Sequence, residues 1–170
     1  TSSGGLALKS DGTSFYVGNE SSSSGVVYQY DMTTAFDVST ASYASKSFDT
    51  TAQTTGVAGL HFNPDGTKMY AIGAGSNDSV FQYALSTAWD VSTASYESKS
   101  FNFSSQNNEG IGLYLGSGGT KMFIAGNTGD IIYQYTLSTA YDVSTASYDS
   151  VSFDVTSQDS APQSMTFNEK

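Results

Sequence analysis

Short runs of alternating hydrophobic and polar residues, divided by turn-forming residues, dominate the pattern along this chain. In the clearest case Leu60, His61 and Phe62 lead directly into the turn 63–66. Proline fixes φ in that turn and glycine supplies a positive φ, as tight turns require. Alternation with a period of two predicts a strand with one buried face.

Three more runs complete the same unit. A run over 67–72 ends at the turn residues 73–78, a third run covers 80–85, and a fourth begins at Tyr96 after the linker 86–94. Aromatic and β-branched residues favour strands, whereas clusters of Gly, Asn, Asp and Ser favour turns. The unit is therefore predicted to contain four short strands.

A long phrase recurs three times and defines the length of the unit. Each copy joins an aromatic residue, Asp and Val to the sequence Ser-Thr-Ala-Ser-Tyr. The aromatic residues are Phe36, Trp89 and Tyr141, which lie 53 and 52 residues apart. Self-similarity at this period predicts a repeat architecture.

Four antiparallel strands in a unit of this length are typical of a β-propeller blade. No segment combines a period of 3.6 residues with helix caps, so essentially no helix is predicted. The predicted fold class is all-β, a β-propeller with four-stranded antiparallel blades of about 53 residues. We predict blades at 1–56, 57–109 and 110–161, and the first strand of a further blade at 162–170.

The predicted ring is incomplete. Met165 and Phe167 occupy the positions that Leu60 and Phe62 hold in their unit, which gives three blades and one extra strand. Propellers typically have four to eight blades, and an uncovered blade face would expose a large apolar patch. We expect either a longer chain that includes this one or two copies that close a six-bladed ring, and the extra strand counts against the second.

Composition excludes several classes of function. The chain has no cysteine, which excludes a disulfide framework, a thiol nucleophile and a cysteine zinc site. Its net charge of −10, with six Lys and Arg residues, would repel nucleic acid and anionic bilayers. No apolar run approaches the roughly 20 residues that span a bilayer, and the first residues lack signal-peptide features. We expect no nucleic-acid partner, no membrane insertion and an extracellular or virion-surface location.

The unit resembles known propeller repeats. The pattern Gly-Leu-x-Phe-Asn-x-Asp-Gly-Thr-Lys-Met-Tyr runs from Gly59 to Tyr70, and Gln-Tyr-x-Leu-Ser-Thr-Ala-Trp-Asp-Val-Ser-Thr-Ala-Ser-Tyr runs from Gln82 to Tyr96. Its first two strands resemble YVTN and lactonase-like β-propeller repeats, and the full unit is similar to repeats of marine phage virion and tail-associated proteins. Lactonase-like enzymes hold a metal near the central channel, but no residue set here matches those ligands. We therefore expect no metal and no cofactor.

The recurring aromatic–Asp pair is the candidate binding site. A ring beside a carboxylate can stack on a sugar and accept hydrogen bonds from its hydroxyl groups. The same residues can instead serve the scaffold, with Asp bound to its own turn and the ring packed on the neighbouring blade. The candidate ligand-binding residues are Phe36, Trp89, Tyr141, Asp37, Asp90 and Asp142.

His61 is the only histidine, and we expect it on the channel wall as a solvated polar side chain. A lone histidine lacks the partners of a nucleophilic triad, which disfavours hydrolase chemistry. Our interpretation is a non-enzymatic structural or adhesive module of a virion, appendage or extracellular surface protein, which binds a protein partner, a glycan, or further blades of the same or a second chain. The alternative is a lactonase-like or quinoprotein-like propeller enzyme with a cofactor bound in the channel.

Overall fold

Three four-stranded antiparallel sheets make up the chain. A computed structural model describes residues 3–20, 24–73, 78–159 and 162–167. In each sheet the strands lie in chain order, so that every strand pairs with its neighbours in sequence. We call these sheets blades 1, 2 and 3. This arrangement confirms the predicted all-β propeller fold.

The strand bounds repeat from blade to blade. Blade 1 contains β1 (Ser3–Leu8), β2 (Ser14–Asn19), β3 (Val26–Met32) and β4 (Ala41–Asp49). Blade 2 contains β5 (Val57–Phe62), β6 (Lys68–Gly73), β7 (Ser79–Leu85) and β8 (Ala94–Asn102). Blade 3 contains β9 (Gly110–Gly116), β10 (Lys121–Gly126), β11 (Ile131–Leu137) and β12 (Ala146–Asp154).

Helical structure is confined to single turns. The described residues contain only 3₁₀ helices of three residues each, at Val38–Thr40, Val91–Thr93, Ser117–Gly119 and Val143–Thr145. None of them has the length and hydrophobicity needed to cross a membrane. The helix-poor prediction is therefore confirmed for the described part of the chain.

The outer strand of every blade contains a β-bulge that the sequence pattern did not predict. Ser45, Ser98 and Ser150 have φ values of 57°, 57° and 58°, and the pairing register shifts beside each of them. A bulge re-aims the residues that follow it. In blade 1 it places Lys46 opposite Gln29, on the side that faces blade 2.

Side chains from both blades fill each junction. Between blades 1 and 2, Tyr16 and Val27 are fully buried in one cluster with Phe62, Met69 and Tyr83. The equivalent cluster between blades 2 and 3 contains Tyr70, Ile72, Met122, Ile124 and Tyr135. Burial of each such side chain contributes about 1.5 to 3 kcal/mol, so the junctions are the hydrophobic core.

The segment 162–167 lies along β9 but is not hydrogen-bonded as a strand within the described residues. A Cβ atom on Gly112 would lie 3.2 Å from the Ser164 Cα, and the Phe167 ring packs on Phe123 at 4.5 Å between centroids. The first strand of a further blade at 162–170 stays a prediction.

Some predicted features lie outside the described residues. These are positions 74–77 of the second turn in the middle repeat, 21–23 in the equivalent tip of blade 1, and 160, 161 and 168–170 in the last two predicted intervals. The blade boundaries stay predictions.

Candidate functional site

The first strands of the three blades line a cavity of about 970 Å³. β1, β5 and β9 form its wall together with positions 163–166. The titratable side chains on this wall are Glu20, His61, Tyr114 and Tyr141. None of the described lining residues is Lys or Arg, so this part of the wall offers no cation to an anionic ligand.

His61 is the polar centre of the wall. It lies on β5, with its neighbours Leu60 and Phe62 buried in the junction with blade 1. Burial lowers the pKa of His61 to about 4, and a hydrogen bond with the Leu115 backbone opposes this shift only in part. The imidazole is therefore neutral at pH 7. Its predicted place on the channel wall is confirmed, and the side chain is partly buried there because the Tyr114 ring of β9 packs against it.

An aromatic side chain from the next blade holds the His61 ring. The Tyr114 ring meets it edge-on, with 5.2 Å between centroids, and the Tyr70 ring lies 6.3 Å away on the other strand. The Tyr114 hydroxyl group donates a hydrogen bond of 3.3 Å to the Phe167 carbonyl oxygen. This contact joins the His61 side of the cavity to segment 162–167.

The hydrogen bonding of His61 determines what its ring can do. A neutral imidazole has one N–H donor and one bare nitrogen. The bond with the Leu115 backbone uses the N–H group, because a carbonyl oxygen can only accept. The other nitrogen of a neutral imidazole has a lone pair, which can accept a proton or a hydrogen bond.

The recurring aromatic residues cover the glycines of the first turns. A Cβ atom on Gly12, Gly66 or Gly119 would lie 2.3 to 2.5 Å from the ring of Phe36, Trp89 or Tyr141, respectively. All three aromatic residues have a positive φ of 60° to 65°, and each donates its N–H group to the covered glycine's carbonyl oxygen at 2.9 Å. Each ring therefore packs the segment between the third and fourth strands against the turn between the first and second strands of the same blade.

The recurring aspartates cap the 3₁₀ helices that follow them. The carboxylates of Asp37, Asp90 and Asp142 accept hydrogen bonds from the N–H groups of Ser39, Ser92 and Ser144 at 3.0 to 3.1 Å. Asp90 and Asp142 also pair with a lysine of the preceding blade. Burial by itself would raise the pKa of both carboxyl groups, but these hydrogen bonds hold it below the usual value.

The structure brings only part of the predicted site together. Trp89 and Tyr141 line the cavity, whereas Phe36, Asp37, Asp90 and Asp142 do not. The rings and carboxylates also have partners within the fold, which accounts for their repetition. Ligand binding by these six residues stays a prediction.

Tyr114 and Glu20 belong to the cavity wall and were missed in the sequence. Tyr114 holds the same place in its repeat as His61, since each directly follows the Gly-Leu pair of the first strand, and this equivalence could have identified it. Glu20 follows the end of β2 and has no equivalent acid in the other repeats, so no pattern in the sequence indicates it.

Similarity to known proteins is found among solved structures. No model of a protein family matches the chain, and no curated protein matches it. Among solved structures, a protein described as a 6-phosphogluconolactonase from Bacteroides fragilis superposes with a TM-score of 0.65 at 16% identity, over 98% of this chain and 42% of its own. A second protein described as a 6-phosphogluconolactonase, from Bacteroides uniformis, superposes with a TM-score of 0.60 at 16% identity, over 88% of this chain and 40% of its own.

The periplasmic gluconolactonase of Pseudomonas aeruginosa superposes with a TM-score of 0.59 at 16% identity, over 90% of this chain and 40% of its own. The chain therefore spans about two fifths of the length of these neighbours. The expectation of a non-enzymatic structural or adhesive module is corrected by this comparison, because the neighbours carry the names of lactonases and favour the alternative interpretation. What the superpositions establish is the fold: the described chain has the architecture of a β-propeller segment.

Proposed function

We propose that this chain forms part of a lactonase-like propeller enzyme that opens a sugar lactone in the cavity lined by β1, β5 and β9. The observation that carries the proposal is the neutral His61 imidazole on the cavity wall, because a neutral imidazole has one nitrogen that can accept a proton. The names of the structural neighbours give the reaction class. The fold alone would not, because one fold hosts many functions.

Lactone hydrolysis needs a base beside the reacting carbonyl group. Water attacks the carbonyl carbon, His61 accepts one proton of that water, the ring C–O bond breaks, and the released oxygen takes up a proton to give the hydroxy acid. A general base contributes about 10² to 10⁴-fold to the rate. The lowered pKa makes His61 a weak base that is nearly always in its reactive form, so we expect the lower end of that range.

The charge of the wall bears on the class of lactone. A phosphorylated lactone carries two negative charges near pH 7, and proteins usually bind phosphate groups through Arg, Lys or helix N-termini. No described lining residue is Lys or Arg, and the whole chain has a net charge of −10. An uncharged sugar lactone therefore fits this wall better than a phosphorylated one.

The proposal includes a location outside the cytoplasm. One neighbour is named as periplasmic, and this name supports such a location. The similarity of the repeat to marine phage virion proteins stays a prediction about its source, as does glycan binding.

Two measurements test the proposal. The first follows δ-gluconolactone opening in a pH-stat, with spontaneous opening subtracted, and compares wild type with His61→Gln. We expect loss of about 10²-fold in kcat/KM for the variant. Ser47→Ala, on the exposed outer strand β4, is the matched control and should keep full activity.

The second measurement does not need a complete ring. His61 gives a single imidazole signal in ¹⁵N-histidine NMR, because the chain has one histidine. We expect δ-gluconolactone to shift that signal at millimolar concentration and 6-phosphogluconolactone to shift it at least tenfold less. No acceleration over spontaneous opening together with an unmoved signal would refute the proposal.

A further inference from the structure

The two junctions inside this chain are held by the same polar contacts in the same places. On β2 the Tyr16 hydroxyl group donates to the Trp89 carbonyl oxygen at 2.8 Å, and on β6 the Tyr70 hydroxyl group donates to the Tyr141 carbonyl oxygen at 2.9 Å. The donor always lies on the earlier blade. The acceptor always lies on the recurring aromatic residue of the later blade.

A lysine on the outer strand makes the second contact. Lys46 pairs with Asp90 at 2.8 Å, and Lys99 pairs with Asp142 at 2.7 Å. In both pairs the β-bulge places the lysine on the side that faces the later blade. The carboxylate is mostly buried in each junction, where a charge needs a partner.

A glutamine on the third strand makes the third contact. The Gln29 side-chain oxygen accepts from the Val91 N–H group at 3.3 Å, and the Gln82 side-chain oxygen accepts from the Val143 N–H group at 2.9 Å. Acids of the same blade hold the glutamine nitrogen, through Asp31 in blade 1 and Glu97 in blade 2. We call Tyr, Lys and Gln the presenting set, and the aromatic residue, Asp and Val the receiving set.

Blade 1 carries a complete receiving set that no described residue occupies. Its members are Phe36, Asp37 and Val38, on the face of blade 1 that points away from blade 2. We call this the outer face of blade 1, and Val38 is 76% exposed there. The equivalent Val91 and Val143 are fully buried. Within the described chain the Asp37 carboxylate makes no ion pair and only caps its own turn.

Blade 3 carries an incomplete presenting set. Gln134 is in place, and Asp149 holds its nitrogen at 2.8 Å. Phe123 stands where blades 1 and 2 have Tyr, and Val151 stands where they have Lys. The Phe167 ring also covers Phe123, so the inner part of this face is already occupied.

We propose that the outer face of blade 1 binds a further propeller blade that presents Tyr, Lys and Gln in the register of Tyr16, Lys46 and Gln29. Blade 3 of a second copy is not that partner. In such a pairing Asp37 would be buried against Val151 without a cation, and the Phe36 carbonyl oxygen would lose its donor. This inference does not depend on the proposed lactonase activity.

Completion of the presenting set on blade 3 tests the proposal in the full chain. All variants carry Phe167→Ala, which uncovers Phe123. The test variant adds Phe123→Tyr and Val151→Lys, and self-association is measured by sedimentation equilibrium. We expect its dissociation constant to be about tenfold lower than that of Phe167→Ala alone, as one hydrogen bond and one ion pair imply. A further Asp37→Ala change should remove the part of the gain that comes from the ion pair.

The controls separate the junction from non-specific effects. Phe123→Tyr with Val151→Glu places the wrong charge opposite Asp37 and should give no gain. Val151 is half-exposed, so Val151→Lys alone should keep the fold and give a smaller gain in the same direction. Two results would overturn the proposal. One is self-association of the wild-type chain that Asp37→Ala weakens. The other is a test variant with Phe123→Tyr and Val151→Lys that associates no better than Phe167→Ala alone.

Discussion

Two sets of equivalent positions in this propeller behave in opposite ways. The position of Phe36, Trp89 and Tyr141 keeps an aromatic ring in every repeat. The inner-strand register that holds His61 in blade 2 holds Ala7 in blade 1 and Tyr114 in blade 3. Every ring of the first set packs on a turn glycine, and Trp89 and Tyr141 also reach the cavity, whereas the second set lines the cavity without such a glycine contact.

The difference teaches where chemistry can be found in a repeated fold. A contact needed by every blade recurs with the period of the blades, because each junction poses the same packing problem. A group needed at one point of a central cavity occurs in one repeat only. Repetition therefore marks the scaffold, and a break in repetition at an inward-facing position marks a candidate site.

The largest effect is expected when the recurring ring is forced away from its glycine. Gly119→Ala should lower the free energy of unfolding by about 4 kcal/mol, because a side chain at φ 83° is strained and its Cβ would lie 2.5 Å from the Tyr141 ring. Chemical denaturation followed by tyrosine fluorescence measures this loss.

The neighbouring Gly118 supplies the matched control. It also has a positive φ, 64°, but a Cβ there would have no atom within 4 Å. Gly118→Ala should cost only about 1 kcal/mol, from backbone strain alone. Equal losses for the two variants would show that the ring contact adds nothing to the strain.

A smaller effect on the free energy of unfolding is expected from His61, whose position holds a different residue in each blade. The pKa of His61 falls from 6.5 in the unfolded chain to about 4 in the fold, so the unfolded chain binds the extra proton between these values. The free energy of unfolding should therefore decrease by up to about 3 kcal/mol as the pH falls from 6.5 to 4.

Denaturation of His61→Gln over the same pH range isolates this contribution. The variant should lose clearly less stability between pH 6.5 and 4 than wild type, since glutamine does not titrate. Asp90 and Asp142 remain in both proteins. Because their pKa values are lowered in the fold, both proteins lose further stability as the pH falls below the ordinary pKa of a carboxyl group. Parallel curves for the two proteins would mean that the imidazole is solvated in the fold.

Local patterns in the sequence were sufficient to predict the strands and their order. Alternation located β5, and the Asp-Gly turns located the hairpins, because both signals act within a few residues. The 53-residue period then gave the blades. The aromatic–Asp repeat was also found, with a scaffold role among its two interpretations.

The junction contacts could not be predicted because they join residues far apart in the chain. Lys46 reaches Asp90 only because a bulge at Ser45 turns the outer strand, and no local pattern signals that bulge. The desolvation of His61 likewise depends on how closely β9 packs over β5. The main interpretation as a non-enzymatic module was contradicted by the names of the structural neighbours, and no local pattern of residues carries that information.

The smallest effect concerns two tyrosines that differ in one hydrogen bond. The Tyr70 hydroxyl group bonds across the junction to Tyr141, whereas the buried Tyr83 hydroxyl group has no partner among the described residues. Tyr70→Phe should lower the free energy of unfolding by about 1 kcal/mol, because it leaves a junction carbonyl group unpaired. Tyr83→Phe removes an unpaired buried group and should be neutral or stabilising. Both rings keep their packing, so a double comparison by urea denaturation measures the hydrogen bond itself. A loss at Tyr83 as large as that at Tyr70 would mean that the recurring tyrosine contributes to the junction through its ring alone.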